Sequence, residues 1–140
     1  MRKITESEVR KMMTKIFGTK KTPFQQELPE KMQLVIEISK TMGLTWHPVI
    51  LIEDEAEFTG RYDITPTDYD QPVIRISKAL VHYFRGEQVA YTERSATNMA
   101  KSLAHELGHV VHGGTYEEEG FAVCERFAES FTVKVMAVVG

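Results

Sequence analysis

Apolar residues recur at helical spacing in two segments near the start of the chain. In residues 5–17 the apolar positions lie three or four apart: Val9, Met12, Met13 and Ile16. This spacing predicts an amphipathic helix that ends before Gly18. Residues 29–42 repeat the pattern, with Pro29 suited to a first turn and Gly43 to a C-terminal cap. The side chains on the expected inward face of this second helix are Met32, Val35, Ile36 and Ser39.

The pattern changes to that of short strands in the middle of the chain. Residues 48–52 form a continuous apolar run rich in β-branched side chains, which predicts a buried strand. Residues 72–77 predict a second strand. Pro72 at its start and Arg75 within it favour a position at the edge of a sheet. We therefore expect a small mixed sheet with an exposed edge strand.

Two further segments beside the second strand carry weaker patterns. Residues 60–72 are rich in glycine, aspartate and proline, which indicates a turn-rich connection. Residues 78–84 are interpreted as one or two helical turns that end near Gly86.

The last third of the chain is strongly helical. Residues 93–112 predict a helix that ends at Gly113, residues 116–120 an acidic connection or first turn, and residues 121–138 a final helix. The apolar stripe of the first of these consists of Met99, Leu103, Leu107, Val110 and Val111. Two helices, a small sheet and two helices predict an α+β fold, and residues 1–140 are expected to form a single domain.

Composition and charge limit the classes of function. The net charge of −3 and the pI of about 6.0 argue against binding to nucleic acid or to an anionic membrane surface. Cys124 is the only cysteine, so an intrachain disulfide is excluded, and we expect this thiol to be a small core residue. Neither a secretory signal nor a run long enough to cross a bilayer is expected, which favours a cytoplasmic protein.

The segment His105-Glu106-Leu107-Gly108-His109 carries candidate chemistry. Two histidines four residues apart lie on one helix face at a spacing of about 5–6 Å, and both can bind one zinc ion. Glu106 is the expected general base, since a carboxylate beside the first ligand can take the proton of the attacking water. A tetrahedral site then needs a third protein ligand, with water in the fourth position.

The position of that third ligand distinguishes the known kinds of zinc site. The metzincin pattern is excluded because His112 and Thr115 stand where its glycine and third histidine should be. His112 lies about 10.5 Å along a straight helix from His105, too far to share the ion, and is interpreted as a cleft-edge or surface residue.

A glutamate on the final helix is the other possibility. Glu125 and Glu129 lie one helical turn apart there, and the glycines before that helix allow the chain to reverse. We expect Glu125 to be the ligand and Glu129 to accept a hydrogen bond from a ligand histidine. Glu129 itself, or a member of the acidic triplet at residues 117–119, is the alternative ligand.

Residues 125–131, Glu-Arg-Phe-Ala-Glu-Ser-Phe, resemble the Glu-x-Phe-Ala-Glu-x-Phe segment of lethal-factor-type peptidases and of peptidase domains associated with phage head proteins. The resemblance implies a minimal zincin-like domain of the gluzincin branch, with Glu125 as third zinc ligand and Glu129 as its supporting acid. It also implies Tyr116 as donor to the oxyanion, with His112 as a weaker candidate. Zincins generally pair an extended substrate with an edge strand, here residues 73–77. A phage- or mobile-element-associated setting is a further implication.

The expected function is therefore zinc-dependent hydrolysis of peptide bonds in a protein or peptide substrate. A metal-binding structural or interaction protein with the same fold is the alternative, although Glu106 would then have no purpose. A deformylase-like reaction is disfavoured because no cysteine precedes the histidine pair. Trp46 and His47 are interpreted as packing residues before a strand, and His82 has no partner evident in the sequence.

Overall fold

The computed structural model describes residues 3–9, 20–54 and 57–140, which adopt an α+β architecture. The described elements are α1 (Glu30–Thr41), β1 (Val49–Glu53), β2 (Gly60–Asp63), β3 (Val73–Ser77), β4 (Ala79–Phe84), β5 (Glu87–Glu93), α2 (Ala96–His112), α3 (Tyr116–Glu119) and α4 (Phe121–Val139). Residues 6–9 are helical, and the remainder of the helix predicted over residues 5–17 lies outside the described residues. None of the described helices is both long and apolar enough to cross a membrane.

Helix α1 agrees closely with its prediction. Pro29 precedes its first turn, where the missing N–H of proline leaves no helical hydrogen bond unmade. The buried side chains are the four that the apolar spacing indicated: Met32, Val35, Ile36 and Ser39. Gly43, with a φ of +109°, lets the chain turn away after the helix end. The helix thus supplies one wall of the core.

The main sheet has three strands in the order β1-β3-β2, so β3 is central and its predicted edge position is wrong. β1 pairs with β3 in parallel and β2 pairs with β3 antiparallel, which makes the sheet mixed. Pro72 lies just outside β3 and removes no hydrogen bond from the ladder. The two outer strands are β1 and β2, and Gly60 of β2 packs against the helix that begins at Ala96.

Arg75 tolerates its central strand because three carboxylates surround its guanidinium. Its nitrogen atoms lie 2.6 Å from Glu53, 2.8 Å from Asp63 and 2.6 Å from Asp68. A charged group that is largely removed from water needs such partners. These partners come from three separate segments and are not evident beside Arg75 in the sequence, which is why the sequence pattern favoured an edge position.

Strands β2, β4 and β5 differ from the predictions. β2 occupies the start of the passage interpreted as turns, and β4 replaces the helical turns predicted over residues 78–84. β4 and β5 form a separate antiparallel hairpin, and all seven residues of β5 are exposed. Arg85 and Gly86 have φ values of +53° and +81°, as a tight hairpin connection requires. Because β5 has no buried face, its sequence does not need the alternation of apolar and polar residues that would have predicted a strand.

The C-terminal helices pack against α1 and the sheet. Helix α2 begins at Ala96, three residues later than predicted, and Ser95 caps it by accepting a hydrogen bond from the backbone of Asn98. Gly113 ends the helix with a φ of +71°. Helix α4 buries a stripe that includes Cys124, as expected; its members are Cys124, Ala128, Phe131 and Val135. Because α2 and α4 lie side by side, residues on their adjoining faces can meet.

Candidate metal centre and catalytic cleft

Two histidines of α2 and one glutamate of α4 meet at one end of the helix pair. Nε2 of His105 lies 2.9 Å from one carboxylate oxygen of Glu125, and Nε2 of His109 lies 3.1 Å from the other. The two Nε2 atoms are 3.2 Å apart. The structure therefore brings together the three residues that the sequence selected as metal ligands, all from the short stretch 105–125.

The spacing of these atoms fits a zinc ion. A tetrahedral ion bound at about 2.0–2.1 Å by nitrogen and oxygen holds its ligand atoms about 3.3 Å apart. The observed separations of 2.9–3.2 Å are slightly shorter. The donor atoms therefore need to move apart by only a few tenths of an ångström to hold the ion.

The charge states of two of these groups also suit a metal ligand. Burial lowers the pKa of His109, although the nearby Glu125 opposes that effect. Burial alone would raise the pKa of Glu125, but the hydrogen bond from Tyr116 and the neighbouring histidines outweigh it and lower the pKa. A neutral imidazole and an ionised carboxylate are the forms that bind metal.

Glu106 occupies the buried side of the same centre. Its residue is only 9% exposed, and burial raises the pKa of its carboxyl group to about 7, with a further contribution from the charge of Glu125. A hydrogen bond from the backbone of Tyr62 opposes the rise. Gly60 packs against Glu106, since a Cβ there would lie 3.3 Å from Cγ of the glutamate. A carboxyl group with a pKa near neutrality can both accept and return a proton.

Tyr116 begins helix α3 and borders the same centre. Its hydroxyl group donates a 2.6 Å hydrogen bond to Glu125, and its ring meets that of His109 edge to face. Burial and the adjacent Glu125 raise the pKa of Tyr116, so the hydroxyl keeps its proton at neutral pH. It is therefore a hydrogen-bond donor within reach of the proposed ligands.

Two adjoining clefts open at this centre. The inner cleft has a volume of about 450 Å³, and its walls are the proposed site residues together with residues 59–62 at the edge strand β2. The outer cleft, of about 650 Å³, adds Trp46, Ile64 and Val110. Tyr62, His109 and Tyr116 line both clefts. A bound chain could thus continue from the centre into a partly apolar groove.

Trp46, Tyr62 and Ile64 line the clefts but are not among the site residues that the sequence predicts. Trp46 was interpreted as a packing residue, but 51% of it is exposed and it lines the outer cleft. Nδ1 of His47 lies 3.2 Å from the carbonyl oxygen of the adjacent Pro48. His82 does have a partner, the hydroxyl group of Thr92 at 3.2 Å. A lone tryptophan before a strand carries no sequence signal that separates packing from binding.

Glu129 and the acidic triplet lie apart from the three converging residues. Four residues advance an α-helix by about 400°, so Glu129 is turned about 40° further from the buried face than Glu125. It is exposed, and within the described part of the chain it makes no hydrogen bond or ion pair with either histidine. Glu117 lines only the outer cleft, while Glu119 pairs with His112. The contacts therefore favour Glu125 over the alternative glutamates.

Comparisons with known proteins found no matching family model, no matching curated protein and no matching solved structure. The likeness of residues 125–131 to a peptidase segment therefore rests on those residues alone. The geometry of the centre is an independent basis for a functional hypothesis.

Proposed function

We propose that this chain is a zinc-dependent peptidase of the gluzincin type, with His105, His109 and Glu125 as its metal ligands. The observation that carries the proposal is the meeting of two Nε2 atoms and a carboxylate, with separations of 2.9–3.2 Å, at the wall of an open cleft. Three protein ligands leave the fourth position for water or substrate, which is the arrangement of catalytic rather than structural zinc.

Each residue around the centre has a task in this proposal. When bound, zinc supplies Lewis-acid polarisation of the substrate carbonyl group and makes a water molecule more acidic. Glu106 takes the proton of the attacking water and delivers it to the leaving amine. The hydroxyl group of Tyr116 turns from Glu125 to donate a hydrogen bond to the developing oxyanion. Glu106 favours a catalyst over a purely structural metal site, because its buried carboxyl group has a pKa near 7 and contacts the cleft.

The clefts suggest how a polypeptide is held. β2 is one of the two outer strands of the sheet and borders the inner cleft, so an extended segment can add to it as a further strand. A large apolar side chain of that segment would enter the outer cleft beside Trp46 and Ile64. The substrate class is thus an extended or unfolded polypeptide. A cytoplasmic, phage- or mobile-element-associated setting remains a prediction from the sequence.

The proposal is tested by measuring metal content and cleavage together. The substrates are an unfolded protein and a peptide library, and zinc is determined in each variant after exhaustive dialysis. Glu106→Gln should keep the zinc content of the parent and lose cleavage by about 100-fold or more. Glu125→Ala should lose one zinc per chain and all cleavage.

Glu118→Gln is the matched control, since this exposed glutamate lies outside both clefts. It should leave zinc content and cleavage unchanged. Parent-level cleavage in Glu106→Gln, or an unchanged zinc content in Glu125→Ala, would contradict the assignment. A parent that binds zinc at this centre and cleaves no peptide in the library would support the non-catalytic alternative.

A further inference from the structure

A second group of metal-binding side chains surrounds the turn between α2 and α4. His112 ends α2, Glu119 ends α3, and Cys124 lies in the first turn of α4. One nitrogen, one carboxylate oxygen and the sulfur of these residues all lie within 4.8 Å of one another. Nε2 of His112 is 3.0 Å from Oε2 of Glu119.

This group is enclosed on most sides. The side chain of His112 is 13% exposed, and its ring stacks on Phe127 with a centroid separation of 4.8 Å. Cys124 is fully buried, whereas Glu119 is 43% exposed and forms the outer boundary. The other ring nitrogen of His112, Nδ1, is buried and has no hydrogen-bond partner within the described residues. Within the described residues, only one of the two ring nitrogens of His112 therefore has a polar partner.

Gly114 leaves the space that Glu119 occupies. A Cβ built on this glycine would overlap the carboxylate of Glu119 and lie 2.8 Å from a carbon of the His112 ring. Any other residue at this position would push the two side chains apart. The observed arrangement of His112 and Glu119 therefore requires glycine at position 114.

We propose that His112, Glu119 and Cys124 form a second metal site, which binds zinc or another divalent ion with an affinity for sulfur. Imidazole, thiolate and carboxylate form a donor set suited to zinc, with a solvent molecule as fourth ligand. Bonds of about 2.0–2.3 Å require donor separations of about 3.3–3.8 Å, so the three side chains must close by about 1 Å. Binding releases the proton of the thiol to solvent, because the thiolate is the ligand form.

This second site would fix the turn that carries other parts of the cleft. Tyr116 lies between two of its ligands in the chain, and Glu125 directly follows the third. An ion that joins α2, α3 and α4 therefore restrains both residues without contact to the substrate. The inference does not depend on the proposed function, since it concerns different ligands.

The test uses Co²⁺ and the metal-free protein. A thiolate bound to cobalt gives a charge-transfer absorption in the near ultraviolet, and the proposed catalytic centre contains no thiolate. We expect two equivalents of Co²⁺ per chain, with this absorption accompanying one of them. Cys124→Ser should abolish the absorption and lose one equivalent, while His112→Ala and Glu119→Gln should weaken it.

The double variant His105→Ala/His109→Ala separates the two sites, since it should lose the first centre and keep the absorption. Absence of the absorption in the folded parent at saturating Co²⁺ overturns the proposal, whatever the variants do. An absorption that is unchanged in both His112→Ala and Glu119→Gln overturns it as well, because the thiol would then bind cobalt without the other two ligands. Circular dichroism verifies that each variant is folded.

Discussion

Gly108 of α2 lies so close to α4 that a Cβ added to it would be 3.0 Å from the Cα of Ala128. The same added atom would lie 3.2 Å from Cβ of Phe131. The closeness of the two helices is what allows Glu125 to reach the histidines on either side of this glycine. The absence of a side chain at Gly108 therefore serves the packing of α2 against α4, and no contact between Gly108 and the metal is required.

Gly108→Ala should destabilise the protein and weaken zinc binding. Alanine in a helix interior is ordinarily favoured over glycine by about 1 kcal/mol, but overpacking costs about 1–3 kcal/mol, and here the obstructing atom belongs to the backbone. Urea denaturation and zinc titration measure the two effects. Lys101→Ala, on the exposed face of α2, is the control and should change neither. Unchanged stability in Gly108→Ala would show that the helices separate freely.

Glu106 should make the metal-free protein less stable as the pH rises. Its pKa is raised from 4.5 to about 7, so folding favours the protonated carboxyl group. The stabilisation is fully present below pH 4.5 and is lost as the pH rises through 7, by about 3 kcal/mol at most. Glu106→Gln, which stays neutral, should therefore be more stable than the parent at pH 8 and nearly equal to it at pH 4.

Urea denaturation in the presence of a chelator, between pH 4 and pH 8, measures this difference. Glu118→Gln is the control for the loss of one acidic group, because its side chain is exposed. A constant difference between parent and Glu106→Gln across this range would contradict the raised pKa.

Tyr116→Phe should reduce turnover more than substrate affinity. Loss of one donor to an oxyanion lowers kcat by about 100- to 1000-fold, whereas contacts with the ground state are little changed. At saturating zinc the variant should still bind one ion at this centre, since His105, His109 and Glu125 all remain, although Glu125 loses the hydrogen bond from Tyr116. Steady-state kinetics with one peptide give kcat and KM separately.

Tyr83→Phe removes a hydroxyl group from the exposed hairpin and should leave both constants unchanged. An equal and small change in the two tyrosine variants would assign Tyr116 to packing alone.

Trp46→Ala should reduce the preference for large apolar side chains in the substrate. The indole lines the outer cleft, and apolar contacts in a pocket contribute about 1–3 kcal/mol, or about 10- to 200-fold in kcat/KM. The variant should cleave peptides with a small residue at the same position as efficiently as the parent does. Phe84→Ala, an exposed aromatic residue of the hairpin, is the control. Equal losses of kcat/KM for all peptides would show that Trp46 supports the fold and does not select the substrate.

The helices and the centre could be foreseen because their signals are local. The apolar stripes of α1 and α2 follow the helical period, and the histidine pair needs only one turn of α2 to share a face. Glu125 could be selected because one turn reverses the chain between α2 and α4.

The strands required information from distant parts of the chain. β2 has the sequence Gly-Arg-Tyr-Asp and is a strand through its pairing with β3, which no local pattern shows. Arg75 lies in a central strand because Glu53, Asp63 and Asp68 arrive from elsewhere. The hairpin could have been found from Arg85-Gly86, since a two-residue connection ending in glycine between strand-forming residues is typical of such turns.

The proposed ligands of the catalytic centre are all contained in residues 105–125, and this has a consequence for folding. Closing a loop of about twenty residues costs less chain entropy than closing a longer one, so these donors can meet before the sheet exists. We expect zinc to bind this stretch in the unfolded chain, which diminishes the stabilisation that the ion gives to the native state.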